Sequence, residues 1–381
     1  MSYRDAHVHL AAGAVDLSGL DLRSVASVED VALAVRGATQ AREDGALIRG
    51  WGFRGHLREL DALEGLAPRH PVVLARADGH AAWLNAAARE AFGRAGAPPV
   101  VEEEALEALR ARLPAPSPAE RAAAVRARMD ELVALGVGAV DDMVDRDGPD
   151  LYARLRDRGE LRIAVGLWLP AVLTETDARA IRRAFPPDDP RVAVRGIKIF
   201  LDGTLRSRTA ALHRPYADDP GNDGRLRAPA PELRGAIAQW AEGGWPVALH
   251  AIGDRAVTLA LDALEPLPAP RFGAHRIEHA QVVRREDLPR FGAAGIVASL
   301  QPGHWTDDQP WIGERLRERP EVIVHPLGSL ARAGASIAIG SDWPVGSWDP
   351  RGVLAAAADP SRGEEAVSAA DASAWYTSGP R

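Results

Sequence analysis

The stretch Val194-Arg195-Gly196-Ile197-Lys198-Ile199-Phe200-Leu201-Asp202-Gly203-Thr204 reads as a strand that runs into a polar turn. Val194–Phe200 is rich in β-branched and apolar residues, and Asp-Gly-Thr punctuates its end. A helical pattern over Asp177–Ala184 precedes it. Another, over Pro231–Glu242, leads to the strand Pro246–His250. Strands alternating with helices in this way indicate βαβ units and a parallel sheet. The alternation persists outward in both directions. Strands Gly138–Asp142 and Leu161–Leu167 lie upstream, after the amphipathic helix Ala119–Leu135 and with a helix between them from about Pro149. Downstream, the helix Asp254–Leu264 precedes the strand Arg276–Glu278. Helix Arg284–Ala293 precedes strand Ile296–Leu300, and helix Pro326–Ala333 precedes strand Ser336–Gly340. With Tyr3–His9 at the N-terminus, that makes eight strands. Eight such units predict an α/β fold, a (β/α)8 TIM barrel, which takes roughly 250 residues. A doubly wound open sheet is the alternative, and no Gly-x-Gly-x-x-Gly follows an early strand to support it.

The segment 11–118 breaks the alternation. Helical patterns near Val28–Asp44 and Glu103–Leu113 and a strand at Pro71–Arg76 suggest an inserted α/β subdomain after the first strand, within one barrel that spans residues 1–381. The Pro114-Ala115-Pro116-Ser117-Pro118 run closes it.

Lys198 is the only lysine in a chain with 46 Lys and Arg residues. Where arginine is so strongly preferred, a retained lysine points to chemistry a guanidinium cannot perform. A buried amine can lose its proton. It can then form a Schiff base or take up carbon dioxide as a carbamate, a carboxylate-like metal ligand. The strand ends supply its company. His7 and His9 alternate on one face of the first strand, and Lys198 lies near the end of the fourth. His250 ends the fifth, His279 follows the sixth and Asp342 follows the eighth. Catalytic groups of such barrels sit at the C-terminal ends of the strands. Each residue alone has an ordinary structural explanation, but six potential ligands at one rim make a metal site the simpler account. The absence of cysteine rules out thiolate ligation and disulfides, which leaves nitrogen and oxygen donors. These suit zinc, with Mn, Fe or Ni open.

The net charge of -7, with no basic stripe, disfavours nucleic acid and anionic membranes as partners. No apolar run approaches a membrane span, and the N-terminus carries no signal segment, so a cytoplasmic location is the default expectation. A small-molecule substrate is expected, and a homodimer stays open.

The segments Asp5-Ala6-His7-Val8-His9-Leu10, Gly196-Ile197-Lys198, Asp202-Gly203-Thr204, His250-Ala251-Ile252-Gly253-Asp254, Ile277-Glu278-His279-Ala280-Gln281 and Gly340-Ser341-Asp342-Trp343-Pro344 occur in this order. Together they resemble the amidohydrolase superfamily, and within it the family-3, YtcJ-like branch that includes N-substituted formamide deformylases. Arg49-Gly50-Trp51 and Asp78-Gly79-His80-Ala81-Ala82-Trp83-Leu84-Asn85 in the insertion also look like that branch. The resemblance implies two divalent ions, one held by His7 and His9 and the other by His250 and His279, with a carboxylated Lys198 bridging them. It gives Asp342 to the first metal and to proton transfer, and it implies hydrolysis of an amide, N-acyl or N-formyl bond. A lyase or isomerase reaction on the same rim and a non-catalytic metal-binding barrel are the alternatives. His80, Trp83, His304 and Trp305 are candidates for closing on the substrate. The last two fall in Gln301-Pro302-Gly303-His304-Trp305, which reads as a loop after the seventh strand. Arg206 and Arg208 are expected to pair with Asp218 or Asp219.

There are two departures from the pattern. Relatives build a small β-sandwich from both termini. Here His7 comes at once and the chain closes on Trp375-Tyr376-Thr377-Ser378-Gly379-Pro380-Arg381, so that sandwich is expected to be missing or truncated. Relatives also carry an acidic residue after the Gly-Trp pair, where this chain has Gly52-Phe53.

Overall fold

The computed structural model describes residues 2–25 and 27–378. Eight strands form one sheet in sequential order: β1 Tyr3–Val8, β2 Val137–Met143, β3 Ala164–Pro170, β4 Val192–Phe200, β5 Val247–Ala251, β6 Arg276–His279, β7 Val297–Leu300 and β8 Ser336–Ile339. Every ladder between neighbours is parallel. The sheet closes on itself just past its last strand. Val8 bridges to Trp343, Asp342 N–H donates to His7 O at 2.8 Å, and His9 N–H donates to Trp343 O at 2.7 Å. Glycine makes this seam possible, because a Cβ on Gly340 would lie 2.6 Å from the His7 nitrogen. The fold is the expected α/β TIM barrel.

The strands are apolar because both of their faces are covered, as parallel sheets require. Residues Val247, Ala248, Leu249 and Ala251 of β5 have no measurable exposure. Helices such as Ala230–Glu242 and Asp254–Leu264 pack outside, and each offers an apolar stripe.

The chain divides into two compact units, one of Met1–Ala11 and Val125–Arg381, the other of Ala12–Ala124. The division falls inside the helix Pro118–Ala134. The second unit carries a five-stranded mixed sheet, Leu20–Asp21, Ile48–Phe53, Val72–Arg76, Ala81–Leu84 and Val100–Glu102. Its own core gathers Leu22, Val35, Ile48, Phe53, Leu60, Leu74 and Trp83.

Two local expectations change. The segment expected as helix Arg284–Ala293 opens as a strand, Val282–Arg284, paired antiparallel with Val322–Val324. The helix shortens to Leu288–Ala293, with a proline in its first turn. β-branched Val282 and Val283 favour the strand. The expected loop Gln301–Trp305 is the start of a helix, Pro302–Leu316. Pro302 occupies its first turn, where a missing N–H costs nothing. Pro310 within that helix disrupts the periodicity by which it would be read.

The described residues form sheets of eight, five and two strands, and no β-sandwich occurs among them. Of the closing stretch, Gly379-Pro380-Arg381 lies outside the described residues. No helix among the described residues is long and apolar enough to cross a membrane.

Candidate metal centre

The rim side chains are set by strand ends and by what lies beneath them. Alternation puts Asp5, His7 and His9 on one face of β1. Asp5 Oδ1 accepts from the backbone N–H of His7 at 3.2 Å and of Ser341 at 2.9 Å. It therefore ties β1 to the turn that carries Asp342. Burial pushes the Asp5 carboxyl up to about 6 against those hydrogen bonds. Asp202 does the same for the other side. Its carboxylate accepts from the N–H groups of Ala211, Ile252 and Gly253 at 3.0, 3.0 and 2.9 Å, linking the exit of β4 to that of β5. Two rim residues are held in the left-handed region, His279 at φ 73° and Asp342 at φ 57°. Strain of this kind in non-glycine residues gathers at functional sites.

Three carboxylate and histidine side chains converge twice. His7, His9 and Asp342 form one set, and His279, His304 and Asp342 the other. His7 Nε2 and His9 Nε2 lie 3.4 and 3.2 Å from Asp342 Oδ1. His304 Nε2 lies 3.5 Å from Asp342 Oδ2. The His250 and His279 rings meet edge to face with centroids 4.6 Å apart, and the His7 and His279 centroids lie 4.9 Å apart. Lys198 is buried with its Nζ over the Phe200 ring, 4.8 Å from the centroid.

Hydrogen bonds set the tautomers. His7 Nδ1–H donates to Glu278 Oε2 at 2.6 Å, which leaves the lone pair on Nε2, facing Asp342. A ring N–H held by a carboxylate is the usual arrangement behind a metal-binding histidine. His279 Nδ1–H donates to Gln301 Oε1 at 2.8 Å, again leaving Nε2 as the basic nitrogen. His250 Nε2–H donates to Gly203 O at 3.1 Å, so its lone pair is on Nδ1. His304 is the opposite case. Gln281 Nε2 donates to its Nδ1 at 3.1 Å, so the proton sits on Nε2, the nitrogen that faces Asp342. His304 is thus a hydrogen-bond donor into the site.

Electrostatics favour neutral His7 and His279 and ionised Asp342 and Glu278. Burial, with Lys198 adding to it, lowers His7 to about 4. Burial and His250 hold His279 well below the usual histidine range. Burial alone would raise Asp342, but His7, His9 and His279 hold it well below the carboxylate range. Burial would raise Glu278 too, and the Arg276 guanidinium, donating to both its oxygens at 2.8 and 3.1 Å, overrides that. Burial lowers Lys198 to about 8, within reach of a neutral amine.

Four buried polar atoms here lack a hydrogen-bond partner: His7 Nε2, His304 Nε2, Lys198 Nζ and Asp342 Oδ1. Buried polar groups are normally satisfied, so a clustered set left open fits a bound group. Neutral imidazole nitrogens and carboxylate oxygen are donors that suit a divalent ion.

The remaining expected residues each make contacts within their own unit. His80 Nδ1 pairs with Glu103 Oε2 at 3.0 Å within the inserted unit. Trp83 is a core side chain of that unit, its Nε1–H donating to Asp61 Oδ1 at 2.9 Å. Trp305 packs edge-on against His325 with centroids 5.9 Å apart. Arg208 pairs with Asp218, donating from Nη2 at 2.8 Å, and Arg206 stacks on Trp311 at 4.7 Å. Sequence reasoning missed the supporting residues Glu278, Gln281, Gln301, Asp5 and Asp202. A signal existed for Glu278, which shares a strand face with Arg276 at spacing two.

Comparison with known proteins gives the chain its relatives. The model of the amidohydrolase family described as "Amidohydro_3" matches residues 4–381. The protein LONG AFTER FAR-RED 3 of Arabidopsis thaliana is 29% identical over 91% of this chain and 66% of its own length. The N-substituted formamide deformylase of Arthrobacter pascens is 23% identical over 99% of this chain and 77% of its own length. Among solved structures, a metal-dependent hydrolase from Pyrococcus horikoshii OT3 superposes with a TM-score of 0.78 at 26% identity, covering 98% of this chain and 79% of that one. The chain therefore spans about two thirds of the plant relative's length, 66%.

Proposed function

The chain belongs to the amidohydrolase family, and from that membership we propose that it is a metal-dependent hydrolase of a carbon–nitrogen bond in an amide, N-acyl or N-formyl compound. The observation that carries this reading is the set of buried atoms left without partners at the rim, His7 Nε2, His304 Nε2, Lys198 Nζ and Asp342 Oδ1. The likeness to a formamide deformylase supports the bond type.

His7, His9 and Asp342 would hold one divalent ion, His250 Nδ1 and His279 Nε2 a second, with zinc our choice for both. Lys198, buried and able to lose its proton, would take up carbon dioxide as a carbamate and complete the ligand set. A bound ion supplies Lewis acidity toward water and toward a carbonyl. The protein's own residues do the rest. Asp342, ionised and backed by three imidazoles, takes a proton from the attacking water at a carboxylate oxygen. The same residue returns that proton to the departing amine. His304 offers its Nε2–H to the carbonyl oxygen as negative charge grows there. Glu278 fixes the His7 tautomer, and Arg276 keeps Glu278 ionised.

The test combines metal content with a substrate panel. Protein purified without chelator should contain close to two divalent ions per chain and release amine from N-formyl or N-acyl amides. Protein without metal after incubation with zinc and bicarbonate would end the hydrolase reading. One ion per chain would keep hydrolysis and remove the bridging role of Lys198.

A further inference from the structure

At the opposite end of the strands lies a cavity of about 310 Å³. Its wall includes Arg4, Arg195, Arg276, Asp141, Trp168 and Phe272. Arg4 and Arg276 stand at or near the starts of β1 and β6, away from the rim histidines.

The charges in this cavity do not balance. Arg276 is matched by Glu278, which takes two hydrogen bonds from it, and Arg276 Nη1 also donates to Asp141 Oδ2 at 3.1 Å. Asp141 is then left to serve both Arg4 and Arg195. Arg4 donates to Asp141 Oδ1, while Arg195 Nε stands 3.8 Å from the same oxygen, too far for a hydrogen bond. Arg195 Nε is buried without a partner. So is the indole N–H of Trp168, a residue only 3% exposed. One excess positive charge therefore lies on the wall of this cavity, on an Arg195 side chain that is 34% exposed. Burial, with Arg4 and Arg276, lowers Arg195 against the opposing pull of Asp141. Gly166 keeps the arrangement open, since a Cβ there would lie 2.2 Å from Asp141 Oδ1 and 2.8 Å from Arg195 Nε.

We infer that this cavity binds a small organic carboxylate, with the anion on the Arg195 guanidinium and its apolar part against Phe272 and the Trp168 ring. One carboxylate cancels the one excess charge, and a guanidinium is suited to pairing with it. The inference does not depend on the hydrolase reading, because Arg195, Trp168 and Phe272 have no part in the candidate metal centre; Arg276 alone touches both, through Glu278.

Isothermal titration of the metal-loaded protein with benzoate, benzamide and inorganic phosphate tests it. Benzoate should bind once per chain, benzamide should not, and phosphate should bind more weakly than benzoate. Arg195→Met should weaken benzoate by at least about tenfold. Phe272→Glu, at a half-buried wall position where a new carboxylate repels the ligand without opening the core, should do the same. Benzoate affinity that survives both substitutions would place the binding elsewhere, the metal rim included, and overturn the inference. So would equal binding of benzamide, the mark of a merely apolar pocket. Binding of phosphate alone, or no saturable heat from any of the three, overturns it as well.

Discussion

The barrel rim and the inserted unit both contain a cluster of histidine and carboxylate close to a cation, and they treat it in opposite ways. In the insertion, Arg76 grips Asp78 with Nε at 3.0 Å and Nη2 at 2.7 Å. Asp78 also accepts from the His80 backbone N–H at 3.1 Å, and His80 pairs with Glu103. None of these side-chain atoms is left open. At the rim, His7, Lys198, His304 and Asp342 each keep a buried polar atom without a partner. Composition does not separate the two clusters. Satisfaction does: a closed network adds to stability, while an open one lowers stability and leaves atoms available to bind something.

The sharpest way to break that contrast is at the rim. Asp342→Asn keeps an oxygen ligand but cannot accept a proton, so metal content should persist while kcat falls by about 10²- to 10⁴-fold. Full turnover in this variant would remove the proton-transfer role. Lys198→Arg should lower metal content and turnover together, measured by elemental analysis and by amine release. Normal values for both would rule out the carbamate.

The insertion should respond in stability. Arg76→Ala leaves a buried carboxylate unpaired and should cost about 3 kcal/mol in chemical denaturation. Acid should act on the same pair. Asp78 is depressed from 3.8 to about 2, where the Arg76 guanidinium overrides burial. Its contribution is therefore complete above about pH 4 and is lost as pH falls toward 2, about 2 kcal/mol in all. Asp78→Asn should flatten that acid limb, and an unchanged limb would show that other groups control it. The smallest effect expected is that of Asp61→Ala, which keeps the Trp83 ring and removes only the acceptor of its indole N–H, at about 1 kcal/mol. A loss several times larger would mean the ring itself is displaced.

These contrasts also mark where sequence reading succeeds. The barrel was legible because βα periodicity is local and repeats, and the lone lysine and rim histidines fall at strand ends that periodicity locates. The hydrogen-bonding partners were not. Gln301 reaches His279, and Gln281 reaches His304, across separations of 22 and 23 residues. Those pairings depend on the register of β6 against β7 and on the helix Pro302–Leu316, whose first residues read in sequence as a loop. The same mistake concealed His304 as a donor, because a helix start holds its ring in place where a loop would not. In the insertion, the strands Ala81–Leu84 and Val100–Glu102 are short and pair antiparallel, so neither length nor period revealed them.

The single lysine has a practical consequence for spectroscopy. Biosynthetic labelling with lysine enriched in ¹⁵N at Nζ would place one side-chain reporter in the whole chain, at the candidate site itself. Its nitrogen resonance would distinguish ammonium, free amine and carbamate directly, with no assignment needed. An enriched carbon dioxide supply would add one carbamate carbon signal bonded to that nitrogen. In most proteins of this size such a signal would be lost among dozens of surface lysines.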